Sequence, residues 1–143
     1  MRRTSLLATL TLAATVGCRE SLTAPPSGLP ATLSVTTASP PFPSPTVEAA
    51  DDSVVATYVS GVSGCVDYRA EAGLRSGTMV ITVSGRVAQD RACSAMLASA
   101  VYRAVVHEAP TGRYPVVVAS RMVQANGKSG PSTEIVRGVV TLP

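Results

Sequence analysis

From Asp51 onward the apolar positions of this chain recur with a period of two. Val54-Val55-Ala56-Thr57-Tyr58-Val59 and Thr78-Met79-Val80-Ile81-Thr82-Val83 are short, rich in β-branched residues and closed by Ser60-Gly61 and Ser84-Gly85, the pattern of strands stopped by turn residues. Ala100 to His107 alternates Tyr102, Ala104 and Val106 against Arg103, Val105 and His107, which predicts a strand with one buried face. Tyr114 to Val123 and Ile135 to Leu142 supply two further strands, and Asp67 to Leu74 a weaker sixth. Short strands with turn signals about every dozen residues predict an all-β fold, a small antiparallel β-sandwich or barrel. One segment departs from the period. Asp90 to Ala98 opens on a capping residue followed by good helix formers, which predicts a short helix or a loop.

The turn Ala109-Pro110-Thr111-Gly112 has proline where a type I turn fixes φ and glycine where φ turns positive, the chemistry of a tight hairpin loop with a bulge. The hairpin so predicted sets Val106 opposite Val116, Ala104 opposite Val118 and Tyr102 opposite Ser120, one apolar face shared by two strands. Its other face carries Val101, Arg103, Val105 and His107 on one strand and Pro115, Val117, Ala119 and Arg121 on the other. Arginine flanking exposed aliphatics is a composition favoured at interfaces, and it singles out Arg103, Val105, His107, Val117 and Arg121 as a candidate binding surface. Two plainer readings compete: these valines are packed under Asp90 to Ala98, or the register slips by one residue and exchanges the faces.

Pro110-Thr111-Gly112-Arg113-Tyr114-Pro115-Val116-Val117-Val118 resembles the Pro-x-Gly-x-Tyr-x-Val-x-Val hairpin of immunoglobulin-like and carboxypeptidase-regulatory-like β-sandwiches in secreted bacterial proteins. The stretch from Gly64-Cys65 through that hairpin resembles small uncharacterised lipoproteins of environmental bacteria, over about the last 80 residues. The resemblance implies an immunoglobulin-like sandwich and leaves the activity open. Pro115 stands where the pattern has Thr or Arg, and a residue without an N–H belongs at an edge or a bulge.

At the other end of the chain, Arg2 and Arg3 precede an apolar run from Leu6 to Val16 that closes on Gly17-Cys18. This is the pattern of a signal peptide, too short to span a bilayer. Thr15-Val16-Gly17-Cys18 resembles the lipobox of bacterial lipoproteins, with Thr15 where that family usually has Leu. The resemblance implies removal of residues 1–17, a diacylglycerol on Cys18, and the membrane as partner through that anchor. Arg19 in place of an aspartate implies the outer membrane or cell surface. Residues 18–50 then read as a lipid-anchored, disordered linker: Pro25, Pro26, Pro30, Pro40, Pro41, Pro43 and Pro45 alternate with Ser, Thr and Ala, a composition that favours extended polyproline II. A proline-rich ligand for a partner's groove, and a short docked strand at Leu33-Ser34-Val35-Thr36, are the competing readings. The sandwich is expected over residues 51–143.

Charge and chemistry narrow the function by exclusion. The net charge of +3 includes Arg2 and Arg3, so the mature chain is nearly balanced and carries no electrostatic footprint for nucleic acid. With Cys18 lipidated, Cys65 and Cys93 are the only remaining cysteines, and in an exported domain they are expected to be bridged. The chain-entropy model gives such a loop roughly 3.5 kcal/mol. Two cysteines and one distant histidine do not make a metal site, and no cofactor is expected. Nor is a catalytic centre: His107 and Glu108 are adjacent on a strand and point to opposite faces, Asp67 and Glu71 flank Arg69 as solvated charges, and no nucleophile elbow or phosphate loop is present. The expectation is a non-enzymatic, membrane-anchored binding or adhesion module with a possible protein partner in the envelope. The alternatives are a structural envelope component without a ligand and a small inhibitor of a secreted hydrolase.

Overall fold

Residues 28–89 and 97–143 are described by the computed structural model. Among them every regular element is a strand: β1 (Gly28–Leu29), β2 (Ala31–Thr37), β3 (Thr46–Ala50), β4 (Ser53–Ser63), β5 (Val66–Arg75), β6 (Thr78–Val87), β7 (Leu97–Val106), β8 (Gly112–Val123) and β9 (Thr133–Leu142). They form two packed sheets, one in the order β1-β5-β6-β8-β9 and one in the order β2-β7-β4-β3. The chain is therefore a small all-β sandwich. Every pairing is antiparallel except β6 with β8, which run parallel, a departure from the purely antiparallel sandwich that the sequence predicts.

The period of two does the sorting. In the four-stranded sheet Val54 pairs with Val106, Ala56 with Ala104 and Tyr58 with Tyr102, and all six are at most 2 % exposed. In the five-stranded sheet Met79 pairs with Val116 and Ile81 with Val118, all four fully buried. These two rows face each other and make the core. Each fully buried Val, Ile or Met side chain contributes about 1.5–3 kcal/mol through apolar burial. Ser76 and Gly77, both with positive φ, join β5 to β6 in the two-residue loop whose twist matches its flanking strands.

Several expectations are corrected. The hairpin between Val106 and Gly112 does not form: β7 pairs with β2 and β4, whereas β8 lies in the other sheet between β6 and β9. The five residues from His107 to Thr111 cross between sheets instead. The crossing is pinned by His107 N–H to Pro30 C=O at 2.8 Å and Ala109 N–H to Asp52 C=O at 2.9 Å, and the Tyr114 hydroxyl donates to Pro110 C=O at 2.9 Å. Glycine is still required, since Gly112 has φ 127°, but local turn chemistry fixes a bend and does not choose which sheet the next strand joins. The linker expected to run to residue 50 ends earlier, because β1, β2 and β3 belong to the sandwich. In β2, Ala31, Leu33 and Val35 pack on the core while Thr32, Ser34 and Thr36 are exposed, and Pro30, Pro40, Pro41, Pro43 and Pro45 lie outside the strands. The expected helix or loop at Asp90 falls on residues 90–96, outside the described residues, and Leu97 already belongs to β7.

Pro115 sits inside β8, paired with Val139, one residue before the β6 ladder starts at Val116, so its missing N–H falls at the end of that ladder. Farther along β8 the register against β9 shifts between Val118 and Ala119, leaving Ile135 unpaired. This bulge brings Glu134 and Arg137 to one face, where Arg137 Nη2 meets Glu134 Oε2 at 2.7 Å; in a regular strand residues three apart point to opposite sides.

Candidate functional site

The two ends of the sandwich differ. At the end where β4, β6 and β8 finish and β7 and β9 begin, the inner faces part around a cleft of about 350 Å³. Its walls are aromatic. Tyr58 on β4 and Tyr102 on β7 are cross-strand neighbours with ring centroids 5.1 Å apart and planes 7° from parallel. Tyr68 reaches them from β5 in the opposite sheet, its ring edge-on to Tyr102 at 5.3 Å and 80°. The Tyr102 hydroxyl donates to Gly61 C=O at 2.8 Å, and the Tyr68 hydroxyl accepts from Ser63 N–H at 3.4 Å. Val83 and Met122 complete the apolar wall, and Ser60, Ser120 and Thr133 bring hydroxyls to it.

Small residues keep the cleft open. A Cβ on Gly85 would lie 2.8 Å from Met122 Sδ, 2.9 Å from Val66 Cγ1 and 3.1 Å from the Tyr68 ring, so any side chain there displaces the rings that shape the wall. The surrounding connections are braced to one another. Ala88 N–H donates to Cys65 C=O at 2.8 Å, joining the β4–β5 turn to the chain after β6, and Gln89 Nε2 donates to Ala125 C=O at 2.8 Å, joining that chain to the β8–β9 connection.

Apart from Arg121, no charged side chain among the described residues lines the site. Burial, with Tyr68 close by, pushes the Tyr58 and Tyr102 hydroxyls well above the ordinary tyrosine value, so both stay protonated at neutral pH. Arg121 borders the cleft along β8, but its guanidinium is held elsewhere: Nε donates to Ser84 Oγ at 3.0 Å and Nη2 pairs with Glu71 at 3.4 Å, opposite the core-facing row of β6. Among the described residues no group of three or more His, Cys, Asp or Glu is arranged to hold a metal ion.

The residues expected to form one binding surface are split by the topology. Arg103, Val105 and His107 are on the outer face of the four-stranded sheet, where Arg103 lies between Ser34 and Thr57 and Val105 between Thr32 and Val55. His107 Nε2 is 2.9 Å from Thr32 Oγ1. Val117 and Arg121 are on the outer face of the five-stranded sheet, Val117 between Val80 and Arg137. The two groups face away from each other with the core between them, so no single partner surface includes all five. Cys18 and Cys93 lie outside the described residues. Cys65 is not a free thiol.

The cleft itself is not among the sequence expectations. Its signal is faint: Tyr58 stands two residues before Ser60-Gly61, Tyr68 four after Gly64 and Tyr102 three after Ser99, each on an inward position, Tyr68 near the start of β5 and the other two midway along β4 and β7. Only the packing of three strands from two sheets shows that these positions converge. No protein-family model, curated protein or solved structure matches the chain. What the geometry defines is a class, a two-sheet β-sandwich with one end packed shut and the other open and tyrosine-lined.

Proposed function

We propose that the chain is an exported, lipid-anchored and non-enzymatic binding module, held through Cys18 at the outer membrane or cell surface and presenting its open end to a ligand. The observation that carries the binding half is the cleft: an uncharged, largely apolar concavity with a few convergent hydroxyls is the usual form of a small-ligand site. The anchoring half is supported by Arg2-Arg3, the apolar run and the resemblance of Thr15 to Cys18 to a lipobox. Nine residues, Arg19 to Ser27, separate Cys18 from Gly28, the first residue of β1. Nine residues extend to at most about 30 Å, which keeps the module near the membrane. A Cys65–Cys93 bridge belongs to the same reading, since it ties the β4–β5 turn beside the cleft to the β6–β7 connection.

Two acyl-bearing groups bind a bilayer far more firmly than a single chain. The wild-type protein should therefore stay with the membrane pellet in high salt, with acyl mass on its Cys18 peptide, and Cys18→Ala should escape that processing. Soluble protein with unmodified Cys18 rejects the anchor. Two titratable thiols in the unfolded, unreduced mature chain reject the bridge. For the binding half, an envelope extract added to isotope-labelled full chain should move the amide signals of Gly61, Gly85 and Gly130; signals moving only on an outer sheet face reject the cleft as the site.

A further inference from the structure

Resting on the reading of the open end as a binding site, we propose that its ligand is an uncharged aromatic ring. The cleft's size, its lack of charge and the arrangement of its rings all bear on this. At about 350 Å³ it is near the lower limit of small-molecule sites, roughly 300–1,000 Å³, the space of one ring system and its substituents. Among the described residues its one bordering cation, Arg121, is committed to Ser84 and Glu71, so a carboxylate or ammonium that meets only these walls gives up its hydration without a partner. A sugar fits poorly for a related reason. Each hydroxyl it buries needs its own hydrogen bond, and among the described residues the walls have no carboxylate or carboxamide, only the hydroxyls of Ser60, Ser120, Thr133 and the tyrosines with nearby backbone groups, the Tyr102 and Tyr68 hydroxyls being already bonded to Gly61 and Ser63. An aromatic ring asks for what is present. Tyr58 and Tyr102 are stacked on each other and buried, so the ring surface that meets the cleft is that of half-buried Tyr68, edge-on to Tyr102; a further ring packs on it in the same offset or edge-to-face geometry, while exposed Met122 provides a polarisable contact through Sδ.

The same chemistry has two sources, a free small aromatic molecule or an aromatic side chain presented by a partner peptide. Both are tested by following the methyl signals of Val83 and Met122 in the full chain. Titration with p-cresol should shift these signals saturably through its ring current, whereas benzoate, benzylamine and glucose should bind weaker by roughly tenfold or more, as expected when charge or several hydroxyls are buried without partners. N-acetyl-tyrosinamide supplies the peptide arm. Saturation by p-cresol alone assigns a free small molecule, saturation by the amide alone assigns a peptide side chain, and either supports the ring. Ser60→Phe, at an exposed rim position, fills the mouth and should abolish the shifts at unchanged thermal midpoint. Ser34→Phe, on the exposed outer face of β2, should leave them intact.

If glucose or a charged probe saturates the cleft and p-cresol does not, the ring assignment is overturned and the binding reading stands. The same holds if only the envelope extract moves cleft signals. If neither probes nor extract move them, both fail. Shifts that survive in Ser60→Phe place the ring elsewhere and overturn the proposal.

Discussion

The two ends of this sandwich are made from the same strands and differ in what those strands carry. At the closed end Val54, Met79, Val106, Val116, Val140 and Leu142 are at most 3 % exposed, and branched or flexible aliphatics from opposing sheets interdigitate to near-crystalline density. Tyr114 caps that end with its hydroxyl on Pro110 C=O. At the open end the same inward positions carry Tyr58, Tyr68 and Tyr102 beside Gly61, Gly85 and Gly130. Tyr58 and Tyr102 stack on one another and are buried, Tyr68 stands edge-on and only half-buried, and the glycines beside them add nothing to fill the gap. The comparison teaches that a sandwich gains a site by exchanging interdigitating aliphatics for rings and glycines at one end, without any change of topology.

The largest effect that sharpens this contrast belongs to the closed end. Met79→Ala removes a fully buried side chain and should cost about 2–5 kcal/mol in urea unfolding; a loss under 1 kcal/mol would show that this end is not tightly packed. Next comes alkali. Tyr58 and Tyr102 titrate above their ordinary value of 10.0, so the folded state favours their protonated forms. That stability is complete below pH 10 and is lost as pH rises beyond it, by at most about 1.4 kcal/mol per pH unit per ring, and less where a hydroxyl reaches water at the cleft mouth. The loss should show first as disrupted ring-current shifts at Val83 and Met122, ahead of any change at Val116. Shifts lost at Val116 first would reverse the assignment of the weaker end.

Smaller still is Tyr102→Phe. It keeps the ring stack and deletes one hydrogen bond to Gly61 C=O, for about 0.5–1.5 kcal/mol. The smallest effect is Glu134→Gln. Arg137 holds the Glu134 carboxyl below the ordinary carboxylate value, so the pair stabilises the fold above that ordinary value and loses its contribution as pH falls through the lowered one. Both groups are solvated, so the change in urea midpoint at pH 7 should be barely measurable and should vanish in acid.

How much of this was legible follows from which physics is local. The inward rows of β4, β6, β7 and β8 are readable because a strand buries alternate residues, and Tyr102, Ala104, Val106, Val116 and Val118 all face the core as their alternation predicts. Strand partners were not readable. Ala109 to Gly112 has the composition of a hairpin loop and makes an inter-sheet crossing, because the choice depends on β2 and β4 already flanking β7. The crossing puts Val117 and Arg121 on the opposite outer face from Arg103, Val105 and His107. Proline content weighed against β2: Ala31-Thr32-Leu33-Ser34-Val35-Thr36 alternates as cleanly as any strand and Leu33 to Thr36 reads as a short docked strand, which β2 is, but its place between Pro30 and Pro40 favours a linker. The cleft was least legible, since its tyrosines come from three strands and two sheets and converge only once both are folded.

The most direct measurement of the central claim, that the open end is the functional end, is the thermal midpoint of the full chain with and without p-cresol, in wild type and in Ser60→Phe. A ligand that binds only the folded state stabilises it by mass action, which at tenfold excess over Kd raises the midpoint of a domain this size by about 5 °C. The predicted result is that rise in wild type and none in Ser60→Phe. Equal shifts in both proteins would contradict it, as would no shift in wild type with p-cresol, N-acetyl-tyrosinamide, glucose and envelope extract alike.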